Sequence, residues 1–548
     1  MSAALLVVAA IALVAASGIV GPLLGTRSDG GERLSATLLI GGAALGLVGA
    51  VPQLWRDPVR AAGPWAVPGG ALAIRIDGLA AMFLVQVFAI AGLGAIYALG
   101  YWSQREHPDG GRKLRCFYGL MTAGMALLVI ADNAVLFLFG WEVMTISAFF
   151  CVTAEDTKEA VRQSGYVYLC TTRIGTLLLL GMFAVMHTAT GSWSFEAPAH
   201  DLTAAAARAI GLLALGGFGL KAGLMPLHIW LPGAHANAPS HVSALMSGVL
   251  IKMGIYGLIR VASFFPHPPS SWGVVVMIAG GSSGVLGVAF AIGQHDVKRL
   301  LAYHSIENIG IIVLGLGVAL LGRALDAPAL VVLGLAGALL HVWNHGLFKA
   351  LLFFSAGSVL HATATRQIDE LGGLAKRMPY TAAAFLVGAL AICGLPPLNG
   401  FVSELFVYLG LLHSMDTPRG WLAGALGVPT LALIGALALA CFVKVVGAVF
   451  LGQPRTDRTE RAHESPPVML APMFVLAVGC ALVGLAPVAV APAIDGAVAA
   501  WTGSDAGPTL ASLAPLRMLV LTGLALAAVA AVLGVWLARR TEPTRTAT

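Results

Sequence analysis

Stretches of about twenty consecutive apolar residues recur along the whole of this 548-residue chain. Each is long enough to cross the ~30 Å hydrocarbon layer as a helix. We place fifteen, beginning near residues 3, 36, 79, 114, 133, 163, 205, 238, 273, 300, 329, 379, 420, 467 and 515. In lipid every backbone polar group must be satisfied internally, which leaves helices and closed barrels. Barrel strands would alternate over about ten residues, and these Leu- and Ala-rich runs do not. The expected fold is an all-α polytopic membrane protein with about 14–15 transmembrane helices. Asp, Glu, Lys and Arg make up 11% of the chain, against about 25% in soluble domains. That excludes a soluble enzyme, a nucleic-acid reader and a disordered chain. The first run lacks a basic leader and is read as a span, not a cleaved signal.

The six cysteines are scattered without a CxxC pair, so neither an iron–sulfur cluster nor a structural zinc site is expected. No glycine-rich nucleotide loop stands in a strand-to-helix context. No cofactor, metal or catalytic residue is therefore assigned to this chain, and redox cofactors would belong to its partners. Charge is more useful for topology. Of the 32 basic residues, 16 fall in loops after odd-numbered spans, three in the tail (Arg539, Arg540, Arg545) and eight after even-numbered spans. The positive-inside rule then puts the N-terminus outside and the C-terminus in the cytoplasm.

Burying a charge within a span costs at least ~2.5–3.5 kcal/mol, yet this chain carries a series of them. Glu142 lies in AVLFLFGWEVMTISAFF, Lys221 in GGFGLKAGLMPLHIWLP and Lys252 in SGVLIKMGIYGLI. Glu307 lies in YHSIENIGIIVLGLG, Lys349 in HVWNHGLFKALLFF, Glu404 in GLPPLNGFVSELFVYLG and Lys444 in ALACFVKVVGAVFL. Glu142 is too short to reach water from within its run, which points to function, as do Lys221 and Lys252. Lys444 is long enough to snorkel or to serve the same path. Arg173 is expected to snorkel, and Asp132 to cap the helix after the ADN turn.

Pro226 follows Lys221, and Pro396–Pro397 precede Glu404. Proline removes a backbone donor and clashes with the preceding turn, so both spans should break there. Breaks in lipid flank ion sites in transporters. His341, His345 and Lys349 repeat at every fourth position, on one helical face at ~1.5 Å per residue, about 6 Å per step. Histidine exchanges protons near neutral pH, so this column reads as a proton wire or, failing that, a packing column. A zinc reading of HxxxH lacks the following Glu and a third ligand. His304 and Glu307 form a smaller pair, and His228 sits just past Pro226.

Spans 4–8 can be laid over spans 9–13. Glu142 then matches Glu307, the broken span with Lys221 matches that with Glu404, and Lys252 matches Lys444. Five spans per unit makes the repeat inverted, an architecture that puts ion paths between the units. The expected division is 1–113 (three helices), 114–262 (first unit), 273–452 (second unit) and 453–548 (C-terminal helices and cytoplasmic tail).

The motifs FGWEVMTIS, GLKAGLMPLHIWLPGAHANAPSHVSALMSGVLIKMGIYGLIR, QHDVKRLLAYHSIENIGI, HVWNHGLFKALLFFSAGSV and LPPLNGFVSELF resemble the antiporter-like proton-channel subunits of the respiratory complex I superfamily. HSIENIG, HVWNHGLFKALLFF and CFVKVVGAVFLGQPR are most similar to its hydrogenase-4 component B and formate hydrogenlyase branch. The resemblance runs from about residue 79 to 465. It implies that Glu142 is the acidic partner of Lys221, that Lys252 connects the halves, and that Lys349 and Glu404 continue a central polar axis. It further implies an inner-membrane subunit that translocates protons without chemistry of its own. Its partners would be other membrane subunits and a peripheral arm carrying iron–sulfur clusters and nickel-iron. A subunit of a multi-subunit sodium/proton antiporter is the alternative within the same fold.

Overall fold

The computed structural model describes residues 2–23, 29–65, 70–108, 110–196, 202–504 and 507–540. Arg545 lies outside the described residues. Helices α1 (Ala3–Leu23) and α2 (Asp29–Ala50) lead to a small antiparallel hairpin, β1 (Val59–Gly63) with β2 (Leu72–Ile76), in which Val59 faces Ile76. Then come α3 (Gly78–Tyr101), α4 (Gly111–Ile130), α5 (Ala134–Val152), α6 (Glu159–Thr190), α7 (Ala204–Ala222), α8 (Leu231–Asn237), α9 (Ser240–Leu245) and α10 (Lys252–Ser263). The second half holds α11 (Ser270–Ile292), α12 (Val297–Ala324), α13 (Pro328–Thr363), α14 (Pro379–Ile392), α15 (Asn399–Ser414) and α16 (Trp421–Phe450). The chain closes with α17 (Asp457–Glu460), α18 (Pro467–Leu485), α19 (Pro487–Thr502), α20 (Leu510–Leu513) and α21 (Leu516–Arg540).

Among the described residues, 13 helices are long and apolar enough to cross a membrane, and α1, α14 and α19 are shorter apolar helices. The protein is a multi-pass helical membrane protein. Its two ends are a hairpin face, where α3 begins, and a basic face, where α4, α6 and α12 begin. Both proline-marked breaks are present. The carbonyls at the end of α7 are closed by Gly223 at φ +78, whose N–H returns to Gly219 and Leu220, a left-handed cap that glycine adopts without penalty. α8 follows the break. α14 stops before Gly394 (φ +61), and α15 restarts at Asn399. α9 runs into α10 through a π-helical turn, Met246–Leu250, in which Ile251 N–H reaches Met246 O at 3.1 Å.

The sequence placed no element at 487–502, because Pro487, Pro492, Asp495 and Gly503 interrupt the apolar run. The structure has α19 there. α18 ends with Gly484 against the Pro397–Asn399 backbone, and α19 carries on until the Trp501 indole N–H donates to Ile259 O at 2.8 Å. α18 is long enough to cross by itself, and α19 is a shorter apolar helix that follows it. Gly523 of α21 packs on Leu485 and Pro397, so α21 returns towards the basic face.

Capping also differs from expectation. Asn133, in extended conformation, caps α5 by accepting Leu136 N–H at 2.9 Å, which leaves Asp132 free to pair with Arg75 at 3.1 Å. Asp77 caps α3 through Ala80 N–H at 2.8 Å. It also receives both ends of the Arg260 guanidinium at 2.7 and 2.8 Å. Burial pushes the Asp77 carboxyl up, but Arg260 and Arg75 outweigh it and hold it below the ordinary carboxylate range. This cluster ties the hairpin, α3, α10 and the α4–α5 turn together.

A buried polar axis as the candidate functional site

Each expected ion except Lys444 lies on helices that meet around the two breaks. Glu142 faces α6. Its carboxylate is bound by Arg173 and accepts Thr176 Oγ1 at 2.7 Å. Arg173 therefore does not snorkel. It lies near the middle of α6, and the opposite charge one helix away holds it. That pair is partly open laterally, with side chains 29% and 39% exposed.

Lys221 occupies the last turn of α7, where the carbonyl end of a helix favours a cation. It is 1% exposed. Its Nζ donates to Thr145 Oγ1 at 3.0 Å and to the Tyr168 hydroxyl at 3.1 Å, with the Trp141 and Tyr168 rings 5.6 and 5.3 Å away. No ion pair within 4 Å joins it to Glu142 among the described residues; the Thr145 and Tyr168 hydroxyls hold the ammonium instead. Lys252 follows the π turn. Side chains on a helix lean towards its N-terminus, and Lys252 Nζ accordingly reaches Ser247 O at 2.8 Å and Gly248 O at 2.6 Å. The ammonium thus sits on two carbonyls of the π turn.

In the second half the column on α13 is fully buried. The His341 and His345 rings are 6.5 Å apart and nearly parallel. His341 is hydrogen-bonded on both sides, to Ser403 Oγ at 2.9 Å and Asn308 Oδ1 at 3.0 Å, and so joins α12, α13 and α15. Asn344 Nδ2 donates to Asn399 O at 2.6 Å and to Ser403 Oγ at 2.9 Å. His345 differs sharply: neither ring nitrogen has a partner among the described residues. Lys349 Nζ donates to Leu301 O and stands 5.2 Å from the Phe353 ring. His304 and Glu307 are bonded to each other, 0% and 1% exposed. The Glu404 carboxylate lies against Gly394, where a Cβ would come within 2.6 Å of it. Only glycine lets the break approach so closely.

Two expected residues stand apart from this group. Lys444 is exposed and donates to Ile292 O at 2.8 Å, at the end of α11. His228 is half-buried, its ring 6.4 Å from Tyr303. The sequence reading passed over His235, which is 0% exposed with both ring nitrogens unpartnered among the described residues. Its ring lies 5.7 Å from Phe353, the ring that Lys349 also faces. It also passed over Tyr168, Thr145, Thr176, Asn308, Asn344, Asn399 and Ser403. Small polar residues inside spans were the available signal, but their count far exceeds the few that contact an ion.

Residues 131–429, more than half of the chain, match the NADH:quinone oxidoreductase/Mrp antiporter transmembrane family. The chain belongs to this family. It is 41% identical over 439 residues to hydrogenase-4 component B of Escherichia coli (strain K12), covering 79% of this chain and 65% of that protein. It is 36% identical over 428 residues to formate hydrogenlyase subunit 3 of the same organism, covering 78% and 69%. Its fold is similar to a chain of the Mrp complex from Dietzia sp. DQ12-45-1b, with a TM-score of 0.79 and 27% identity, over 98% of this chain and 57% of that one. The chain thus spans less than two thirds of the length of hydrogenase-4 component B and of that Mrp chain.

Proposed function

We propose that this membrane protein translocates protons as a subunit of a redox-driven complex of the hydrogenase-4, formate hydrogenlyase or NADH:quinone oxidoreductase type. The observation that carries the reading is the row of buried Lys, His and Glu groups beside two broken helices. Lys221, Lys252 and Lys349 are each held by carbonyl or hydroxyl oxygens. A lysine so held can give up its proton without stranding a counter-charge, which an arginine cannot do. The unpartnered His345 and His235 nitrogens favour bridging water, since buried polar groups are paired almost without exception.

In this reading the partly open Glu142–Arg173 pair is where a neighbouring membrane subunit acts. Shifting that carboxylate changes the charge seen by Lys221. The proton then passes by Lys252 and the His341–His345–Lys349 column to Glu404, with the His304–Glu307 pair alongside and His228 near the first break. Lys444 would serve only at the end of the path. The two five-helix units form an inverted repeat around the axis, over the boundaries expected from the sequence. The basic face is cytoplasmic, with the N-terminus outside. The partners are further membrane subunits and a peripheral arm with iron–sulfur clusters and nickel-iron.

The similarity to an Mrp complex favours a second reading, a subunit of a sodium/proton antiporter. Sodium prefers clustered oxygens, whereas Glu142 and Glu307 are each taken by a cationic or imidazole partner. The test is donor-driven proton uptake by native vesicles in sodium-free buffer, together with the subunits that co-purify. Uptake without sodium and a co-purifying hydrogenase or dehydrogenase arm are expected. A strict sodium requirement would hand the case to the antiporter.

A further inference from the structure

The axis leaves unused a group of buried polar atoms near the basic face. A cavity of about 40 Å³ lies among α2, α3, α4 and the start of α9. Three side chains that line it carry a polar atom with no partner among the described residues: Nδ1 of His241, Nε1 of Trp102 and Nε of Arg115. His241 and Trp102 are 3% and 8% exposed, so bulk water does not satisfy them. Glu32, 8% exposed, lines the same cavity. Its carboxylate accepts the Gln104 backbone N–H at 3.2 Å and lies 3.7 Å from the Arg115 guanidinium. The Tyr118 hydroxyl is also on the wall, with one long bond to Ala91 O at 3.3 Å. The Tyr118 and Tyr101 rings flank His241 at 5.5 and 6.0 Å.

A cavity needs about 10–15 Å³ and two to four polar partners to hold a water. This one has the room and the unmatched atoms together. An apolar void of the same size would stay dry, but here imidazole, indole and guanidinium nitrogens converge. We propose that the cavity holds a water cluster that delivers protons from the basic face, past Glu32 and Arg115, to His241. This rests on the proton-transport reading. The step moves only protons: a proton from the water cluster binds one ring nitrogen of His241, and the proton on the other leaves towards the axis. His241 is placed for this, since α9 runs straight into the π turn whose carbonyls hold Lys252.

Radiolytic hydroxyl labelling of the intact complex tests the water directly, because radicals formed from bound water mark the side chains beside it. Trp102 should be labelled well above Trp141 and Trp230, which are 1% and 0% exposed. Ala95→Leu fills the cavity from α3, and Ala98→Leu does so from the next turn if the first fails to accumulate. Either should remove the Trp102 label and slow donor-driven proton uptake by about tenfold, a barrier change of the size of one lost relay step. Equal labelling of the three tryptophans in the wild type would overturn the proposal. So would a plugged variant that loses the label yet pumps at the wild-type rate. Lys221→Ala, run in parallel, separates the two claims. If it stops uptake while the plugged variants pump normally, transport stands and this route falls. If it pumps normally, the transport reading falls and takes the delivery step with it.

Discussion

Two buried charge clusters in this protein are built on opposite rules. At the hairpin face Arg260, Arg75, Asp77 and Asp132 pair arginine with carboxylate, bidentately for Arg260 and Asp77. Along the axis, Lys221, Lys252 and Lys349 meet carbonyls and hydroxyls, with no carboxylate within 4 Å among the described residues. The first arrangement is a clasp. A fork-shaped, permanently charged guanidinium on a carboxylate has no other protonation state to visit. The second sets each amine on neutral acceptors, which accommodate both of its protonation states. Burial alone therefore does not tell the two arrangements apart; the identity of each ion's partner does.

The comparison breaks most visibly at the lysines. Lys221→Ala and Lys349→Ala should each abolish proton uptake in vesicles while the complex still assembles, because neither change leaves an opposite charge stranded. Assembly is read from the co-purified subunits. Loss of the whole complex would put the axis in the same class as the clasp.

Arg260→Ala should do the reverse. It strands the buried Asp77 carboxylate, at a cost of roughly 3–5 kcal/mol, and should lower the amount and thermal midpoint of folded protein. Pumping per assembled complex should be unchanged. The same clasp predicts an acid dependence. Asp77 titrates below its usual range, so its stabilisation is complete above the unfolded carboxylate value of ~3.9. It is lost as pH falls through the lower folded value. Asp77→Asn should remove that part of the acid sensitivity, measured as the midpoint of thermal unfolding between pH 3 and 6.

A smaller effect is expected within the histidine column. His341→Gln together with His345→Gln keeps polar side chains but removes titration. Uptake should fall severalfold and not vanish, since water can bridge a gap of about 12 Å left along the helix. Unchanged uptake across pH 6 to 8 would make both residues packing groups. The smallest change should come from Lys444→Gln. This exposed lysine caps the α11 carbonyls, a contact worth about 0.3–1 kcal/mol, so uptake should stay within twofold.

Much of this was legible from residue order. Apolar run length located the crossings, and Pro226 and Pro396–Pro397 located the breaks, because both effects are local to a few residues of backbone. The cost of charge in lipid singled out Glu142, Lys221, Lys252, Glu307, Lys349 and Glu404 without any contact being known. Partner choice was not legible. Arg173 looked like a snorkelling residue until α6 was seen beside α5, and Asp132 looked like a cap until Asn133 took that role.

By itself, then, the sequence determined that this chain lives in lipid, where two of its spans break, and which of its groups are too costly to be there without cause. Those outcomes depend on interactions between near neighbours and the solvent. The tertiary structure alone decided which acceptor each ion meets, that a further helix, α19, follows α18, and that among the described residues neither ring nitrogen of His235 and His345, nor Nδ1 of His241, has a partner. Such facts depend on the few ångströms separating side chains hundreds of residues apart, and hydropathy carries no record of those distances.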